Sequence, residues 1–142
     1  KINFPVATGE RLTSKYEFNQ IIEKKAASIL QLNMGRVGGI LEGKKIASMA
    51  EANHMSIAPH MYCGPIVAAA NIQVAASISN FLILEGIKDW NGFDSFIMKK
   101  YFKWEAGSVL LNSEPGLGVE IDEDKIENFP YDGDSLHLEM SE

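Results

Sequence analysis

One pattern constrains this chain more than any other. Short apolar runs, each closed by a polar residue, alternate with stretches of helical spacing. The apolar runs cover residues 3–7, 29–32, 56–58 and 81–84. Between them, Phe18, Ile21 and Ile22 share one face of a helix expected over 16–25. Ile46, Met49 and Ala50 do the same over 40–53. The third helix is expected over 65–77, with Pro65 in its first turn, where a missing N–H costs nothing. Its many alanines predict close packing on several faces. Strands that are short, continuous and apolar read as buried parallel strands. Joined through helices they require right-handed crossovers, hence an α/β fold. Beyond the fourth strand, residues 90–104 read as helical, 108–111 as a strand, and Pro115-Gly116-Leu117-Gly118 as a turn before a strand at 119–121.

Charge and cysteine usage narrow the function classes. The net charge of -6 argues against a nucleic-acid-binding face. The acidic residues crowd into 120–142, which reads as a solvated surface or tail. Cys63 is the only cysteine, so no disulfide forms within the chain; a reducing compartment, the cytoplasm, is expected. No apolar run approaches the roughly 18 residues of a membrane span. The chain opens on Lys1, without Met or a signal-peptide pattern, and runs at once into a strand. The expectation is a chain that starts inside a larger protein.

The residues that close the four runs are Glu10, Asn33, His60 and Glu85. In an α/β barrel, chemistry sits at the C-terminal ends of the strands. Two carboxyl groups, an amide and an imidazole meeting there suit metal-assisted proton transfer. Each has an ordinary reading too: helix cap, turn former, strand terminator. Their recurrence at successive strand ends favours a site. Elsewhere, Lys44-Lys45 and Lys99-Lys100 read as solvated helix faces, and Gly38-Gly39 as close loop packing before an anion site. Arg11 could meet an acidic substrate or pair internally. Cys63 has no base beside it in sequence, which disfavours a catalytic thiol. His54 and His137 carry no partner signal.

Five segments in order resemble the mandelate racemase/muconate lactonizing enzyme family of the enolase superfamily, above all galactonate dehydratases and similar sugar-acid dehydratases. They are Thr8-Gly9-Glu10-Arg11-Leu12; Ile29-Leu30-Gln31-Leu32-Asn33 with Arg36-Val37-Gly38-Gly39-Ile40; Ala58-Pro59-His60 with Gly64-Pro65; Asn80-Phe81-Leu82-Ile83-Leu84-Glu85; and Pro115-Gly116-Leu117-Gly118-Val119-Glu120. The resemblance implies strands five to eight of a TIM-type (β/α)7β barrel. Residues 1–105 would form that half barrel and 106–142 a C-terminal extension, with the capping domain and first strands absent. It further implies Glu10 as a magnesium ligand, His60 as the base acting next to a carboxylate, and Glu85 as the hydrogen-bonding partner of the substrate carboxylate. The superfamily's plan is a Lys or His base, with magnesium stabilising the ene-diolate.

Two departures qualify what the resemblance implies. Asn33 stands where the family has an Asp paired with the His, so His60 should be less basic, or serve as an acid. Glu10 is the one family metal ligand present, so the Mg2+ site is incomplete in this chain. The chain is therefore expected to be inactive alone, as part of a sugar-acid dehydratase. A racemase, epimerase or cycloisomerase of the same superfamily is the enzymatic alternative. A non-catalytic half barrel that self-associates is the other. The expected partners are a carboxylate-bearing sugar acid and either a second copy or the remainder of the barrel.

Overall fold

The computed structural model describes residues 2–86 and 93–130. Strands β1 (Ala7–Thr8), β2 (Ile29–Leu30) and β3 (Ser56–Ile57) pair in parallel in that order, with Ala7 opposite Ile29 and Ile29 opposite Ser56. Strand β4 (His60–Met61) pairs in parallel with β5 (Glu85–Gly86), His60 opposite Glu85. β4 carries β3 onward past Pro59. The Ala58 and His60 amides donate to Leu30 O and Leu32 O, both at 3.0 Å, and the Glu85 amide donates to Pro59 O at 3.1 Å. A parallel bridge between Ile57 and Phe81 extends the last strand backwards. Four parallel strands in chain order result. The third run, read from sequence as 56–58, thus continues past Pro59 as a strand. Proline lacks only the donor; its carbonyl still accepts, so the ladder loses one bond and resumes.

Helices α1 (Lys15–Glu23), α2 (Ile40–Glu51) and α3 (Pro65–Ala76) connect these strands. Ser14 caps α1 in a reciprocal capping box with Glu17, whose Oε2 accepts from the Ser14 amide at 2.8 Å. Phe18 and Ile22 of α1, and Ile46, Ala47 and Ala50 of α2, are buried with Leu30, Leu32 and Ile57 in the main core. α3 buries Ala68, Ala69, Asn71, Ile72, Val74 and Ala75, more than one face of it, as its alanines predicted. Leu82 and Ile83 of the last strand, together with Phe81, keep 40–61% of their surface exposed.

The remainder departs from a helix over 90–104. Residues 90–92 lie outside the described ones; from Phe93 the chain makes one helical turn, α4 (Phe93–Phe96), and then strands. β6 (Met98–Lys100) pairs antiparallel with β9 (Glu120–Ile121). β7 (Lys103–Glu105) pairs antiparallel with β8 (Ser108–Leu110). Buried Phe102, exposed Lys103, half-buried Trp104 and exposed Glu105 alternate with the period of a strand. Ala106 and Gly107, at φ 48° and 79°, close the hairpin as a two-residue turn. A last short helix, α5 (Glu123–Ile126), follows β9. Of the acidic segment, residues 131–142 lie outside the described ones, while Asp122 pairs with Lys99 at 3.8 Å and Lys125 at 3.4 Å. Among the described residues, no helix is long and apolar enough to cross a membrane.

Candidate active site

Each of the four parallel strands delivers a polar side chain to one end of the sheet. Glu10 follows β1 through a tight turn, in which the Leu12 amide donates to Gly9 O at 3.0 Å. Gly9 is required there. Its φ is +125°, and a Cβ would stand 2.6 Å from Cε1 of buried Phe18. The turn thus lies directly on α1. Glu10 Oε2 lies 3.4 Å from His60 Nε2, with half of the Glu10 side chain exposed and His60 15% exposed. Gln31, just past β2, donates from Nε2 to Glu85 Oε2 at 2.7 Å.

The pairing is by alternate strands. Glu10 and His60 come from the first and third, Gln31 and Glu85 from the second and fourth. In a flat sheet such partners stand about 10 Å apart, two strand spacings. A sheet curved into a barrel wall turns them toward a common interior, where side chains from alternate strands share a layer.

Asn33 is placed differently. It is 4% exposed, and its Oδ1 accepts from the Gly35 amide at 2.9 Å. Its carbonyl accepts from the Arg36 and Val37 amides at 2.9 and 3.0 Å. Buried Asn71 joins the same turn by accepting from the Met34 amide at 3.1 Å. A Cβ at Gly35 would come within 3.0 Å of Val67 and 3.2 Å of Asn33 Oδ1, so the turn is tight. Asn33 therefore organises the loop after β2, while the buried Nδ1 of His60 has no hydrogen-bond partner among the described residues. Sequence reasoning named Asn33 for the second strand and passed over Gln31. The signal was present: Gln31 is polar inside an apolar run and lies on the same side of the strand as Asn33.

The other candidates resolve as follows. Arg11 Nε stands 3.9 Å from Glu10 Oε1, the internal pairing of its two readings. The Gly39 amide donates to Met34 O at 2.9 Å, consistent with loop packing at Gly38-Gly39. Lys45 pairs with Glu42, and Lys44 does more than face solvent: its Nζ donates to Ser77 O at 3.3 Å, at the end of α3. Burial pushes the Cys63 thiol up to about 11; the Asn71 amide at 3.8 Å offsets part of this and the Asp94 charge adds to it. At neutral pH that sulfur is protonated and a poor nucleophile.

A magnesium ion is held through one or two carboxylates and several waters. Among the described residues, Glu10 and Glu85 are the carboxylates placed at the shared end by this geometry, and Glu10 is the one with an oxygen 3.4 Å from His60 Nε2. Among the described residues, no group of three or more His, Cys, Asp or Glu could hold a metal. The described residues of this chain do not by themselves make a magnesium site.

The description "Enolase C-terminal domain-like" belongs to a family model that matches residues 1–125. D-galactonate dehydratase of Variovorax paradoxus is 40% identical over 130 residues, 87% of this chain and 34% of that protein. D-gluconate/D-galactonate dehydratase of Picrophilus torridus is 37% identical over 133 residues, 93% of this chain and 34% of that protein. The chain spans about a third of the length of these curated relatives. Among solved structures, a mandelate racemase/muconate lactonizing enzyme from Sulfitobacter superposes with TM-score 0.89 at 50% identity, covering 99% of this chain and 35% of that one. An enolase from Pantoea ananatis with bound D-gluconate and Mg superposes with TM-score 0.82 at 29% identity, covering 90% and 31%.

Proposed function

The chain belongs to the enolase C-terminal domain-like family, as an α/β half of a TIM-type barrel, and on that premise we propose that it serves a sugar-acid dehydratase. The substrate is an aldonate, and the reaction removes the proton next to its carboxylate and expels the neighbouring hydroxyl. Residues 1–105 are the half barrel, and 106–142 its C-terminal extension, joined through the β7–β8 hairpin. The observation that carries this reading is the convergence of Glu10, His60 and Glu85 at one end of four parallel strands.

The chemistry sets the roles. A proton next to a carboxylate is weakly acidic, and the charge that develops as it leaves must be met by aimed donors and positive charge. Glu85 hydrogen-bonds the substrate carboxylate through a proton shared between the two carboxyl groups. His60 Nε2, at the mouth, carries the proton. Asn33 shapes the loop after β2 and, being neutral, does not give the imidazole the anionic support of an Asp; the carboxylate beside Nε2 is that of Glu10, at 3.4 Å. Glu10, with ligands from outside the described residues, would hold Mg2+, which would supply positive charge beside the substrate carboxylate. The chain alone therefore turns nothing over. The single cysteine fits a reducing compartment, the cytoplasm.

Racemases, epimerases and cycloisomerases of the superfamily share the first proton transfer, so the product separates them. The exposed Phe81, Leu82 and Ile83 favour association through the edge of the last strand, with the rest of a barrel or with a second copy. The test is a chimera in which this chain replaces the matching third of the Variovorax paradoxus dehydratase. It should form a 2-keto-3-deoxy acid from D-galactonate or D-gluconate with Mg2+, and Glu10→Gln or His60→Ala should each lower turnover by roughly 100-fold or more. A folded chimera that acts on neither acid contradicts the reading.

A further inference from the structure

We propose that Gln31 is a positioning residue of this site, the group that fixes the Glu85 carboxyl in the barrel mouth. The inference rests on the reading of Glu85 as substrate-facing and assigns a role to a residue that reading leaves idle.

The geometry is specific. The 2.7 Å contact between Gln31 Nε2 and Glu85 Oε2 links residues 54 positions apart, across the strand formed by β3 and β4. Both backbones are anchored. The Gln31 amide donates to Thr8 O at 2.8 Å, and the Glu85 amide to Pro59 O at 3.1 Å. Glu85 is exposed and Gln31 half-buried, so without the contact the Glu85 side chain would sample several rotamers in solvent. Ordering one of them in advance removes that entropy from substrate binding.

An amide is also the suitable group. Its NH2 donates to a carboxylate, and its carbonyl accepts from a carboxylic acid. By exchanging ends, Gln31 holds Glu85 whether or not it carries a proton. Lysine in its place would hold only the ionised form, glutamate would repel that form, and leucine would hold neither.

The test uses NMR on the isotope-labelled 142-residue chain, with no substrate or metal. The unsubstituted chain should show a nuclear Overhauser contact between the Gln31 side-chain NH2 and the Glu85 γ-protons, with restricted Glu85 side-chain motion. Gln31→Leu should abolish that restriction while leaving the backbone fingerprint in place; if Gln31→Leu fails to fold, Glu85→Gln reports the same tie through a shift of the Gln31 amide signals. A Glu85 that is already mobile, or one that stays ordered in Gln31→Leu, overturns the proposal. So do Gln31 signals that Glu85→Gln leaves unmoved. In the chimera, Gln31→Leu should lower kcat/KM about tenfold, mainly through KM, without lowering Tm. An inactive unsubstituted chimera would count against the dehydratase reading alone, because the NMR result judges the tie independently.

Discussion

At the scale of single residues, burial and hydrogen bonding decide which polar groups are free to do chemistry. Cys63 is held protonated by its surroundings, and the titration should be visible. Because its thiol is raised to about 11, alkylation by iodoacetamide should climb about tenfold per pH unit between pH 7 and 10. A rate that levels off near pH 8.5 would contradict the burial account. Asn33 gives a second case. Its Oδ1 serves the Gly35 amide, so Asn33→Ala strands a donor and should cost roughly 1–2 kcal/mol in chemical denaturation. Asn33→Asp keeps the acceptor and should cost far less; equal losses would show that the contact does not matter. Glu10, His60 and Glu85 were legible as the polar residues that succeed the apolar runs, although His60 and Glu85 lie within paired strands rather than after them. The side-chain direction of Asn33 and the partnership of Gln31 were not. The first belongs to a turn that Asn71, 38 positions beyond Asn33 in the sequence, helps to hold, and the second to the curvature of the sheet; no local pattern encodes either.

Among the elements, the helices were the most readable, because capping and spacing are local signals. α1 shows this most fully. The Ser14 hydroxyl and then the Thr13 amide lower the Glu17 carboxyl below its ordinary value of 4.5. A lowered carboxyl contributes stability that is present above its unfolded value and is lost as pH falls through its folded one. Ser14→Ala should therefore lower stability at pH 7, and the gap to the unsubstituted chain should narrow as pH drops below 4.5. A gap independent of pH would place the loss elsewhere. The strand order also followed from the β/α alternation. The stretch from β6 to β7 did not, because Met98, Phe102 and Trp104 invite a helical count, while their burial follows a sheet made with residues 108–121. That pairing is non-local, and so is the continuation of the third strand past Pro59, which depends on which neighbour needs its missing N–H.

For the molecule as a whole, four parallel strands form a wall with two edges. The last strand's Phe81, Leu82 and Ile83 remain 40–61% exposed, and a parallel edge of this kind seeks a partner. In analytical ultracentrifugation the chain should sediment as a concentration-dependent oligomer, and Leu82→Lys with Ile83→Lys should shift it toward monomer. A monomer at all concentrations would mean that this edge is no association surface. The proposed function comes down to proton transfer next to a carboxylate at these strand ends. The most direct measurement is turnover of D-galactonate in D2O by the chimera, followed by mass and NMR analysis of the product. The dehydratase account predicts one deuteron at the carbon that lost its hydroxyl, and no deuterium incorporation in the His60→Ala variant. Deuterium at the carbon next to the carboxylate, in an acid that keeps all its hydroxyls, would reveal a racemase or epimerase instead. No exchange at all, from a folded chimera with Mg2+ present, would contradict the claim.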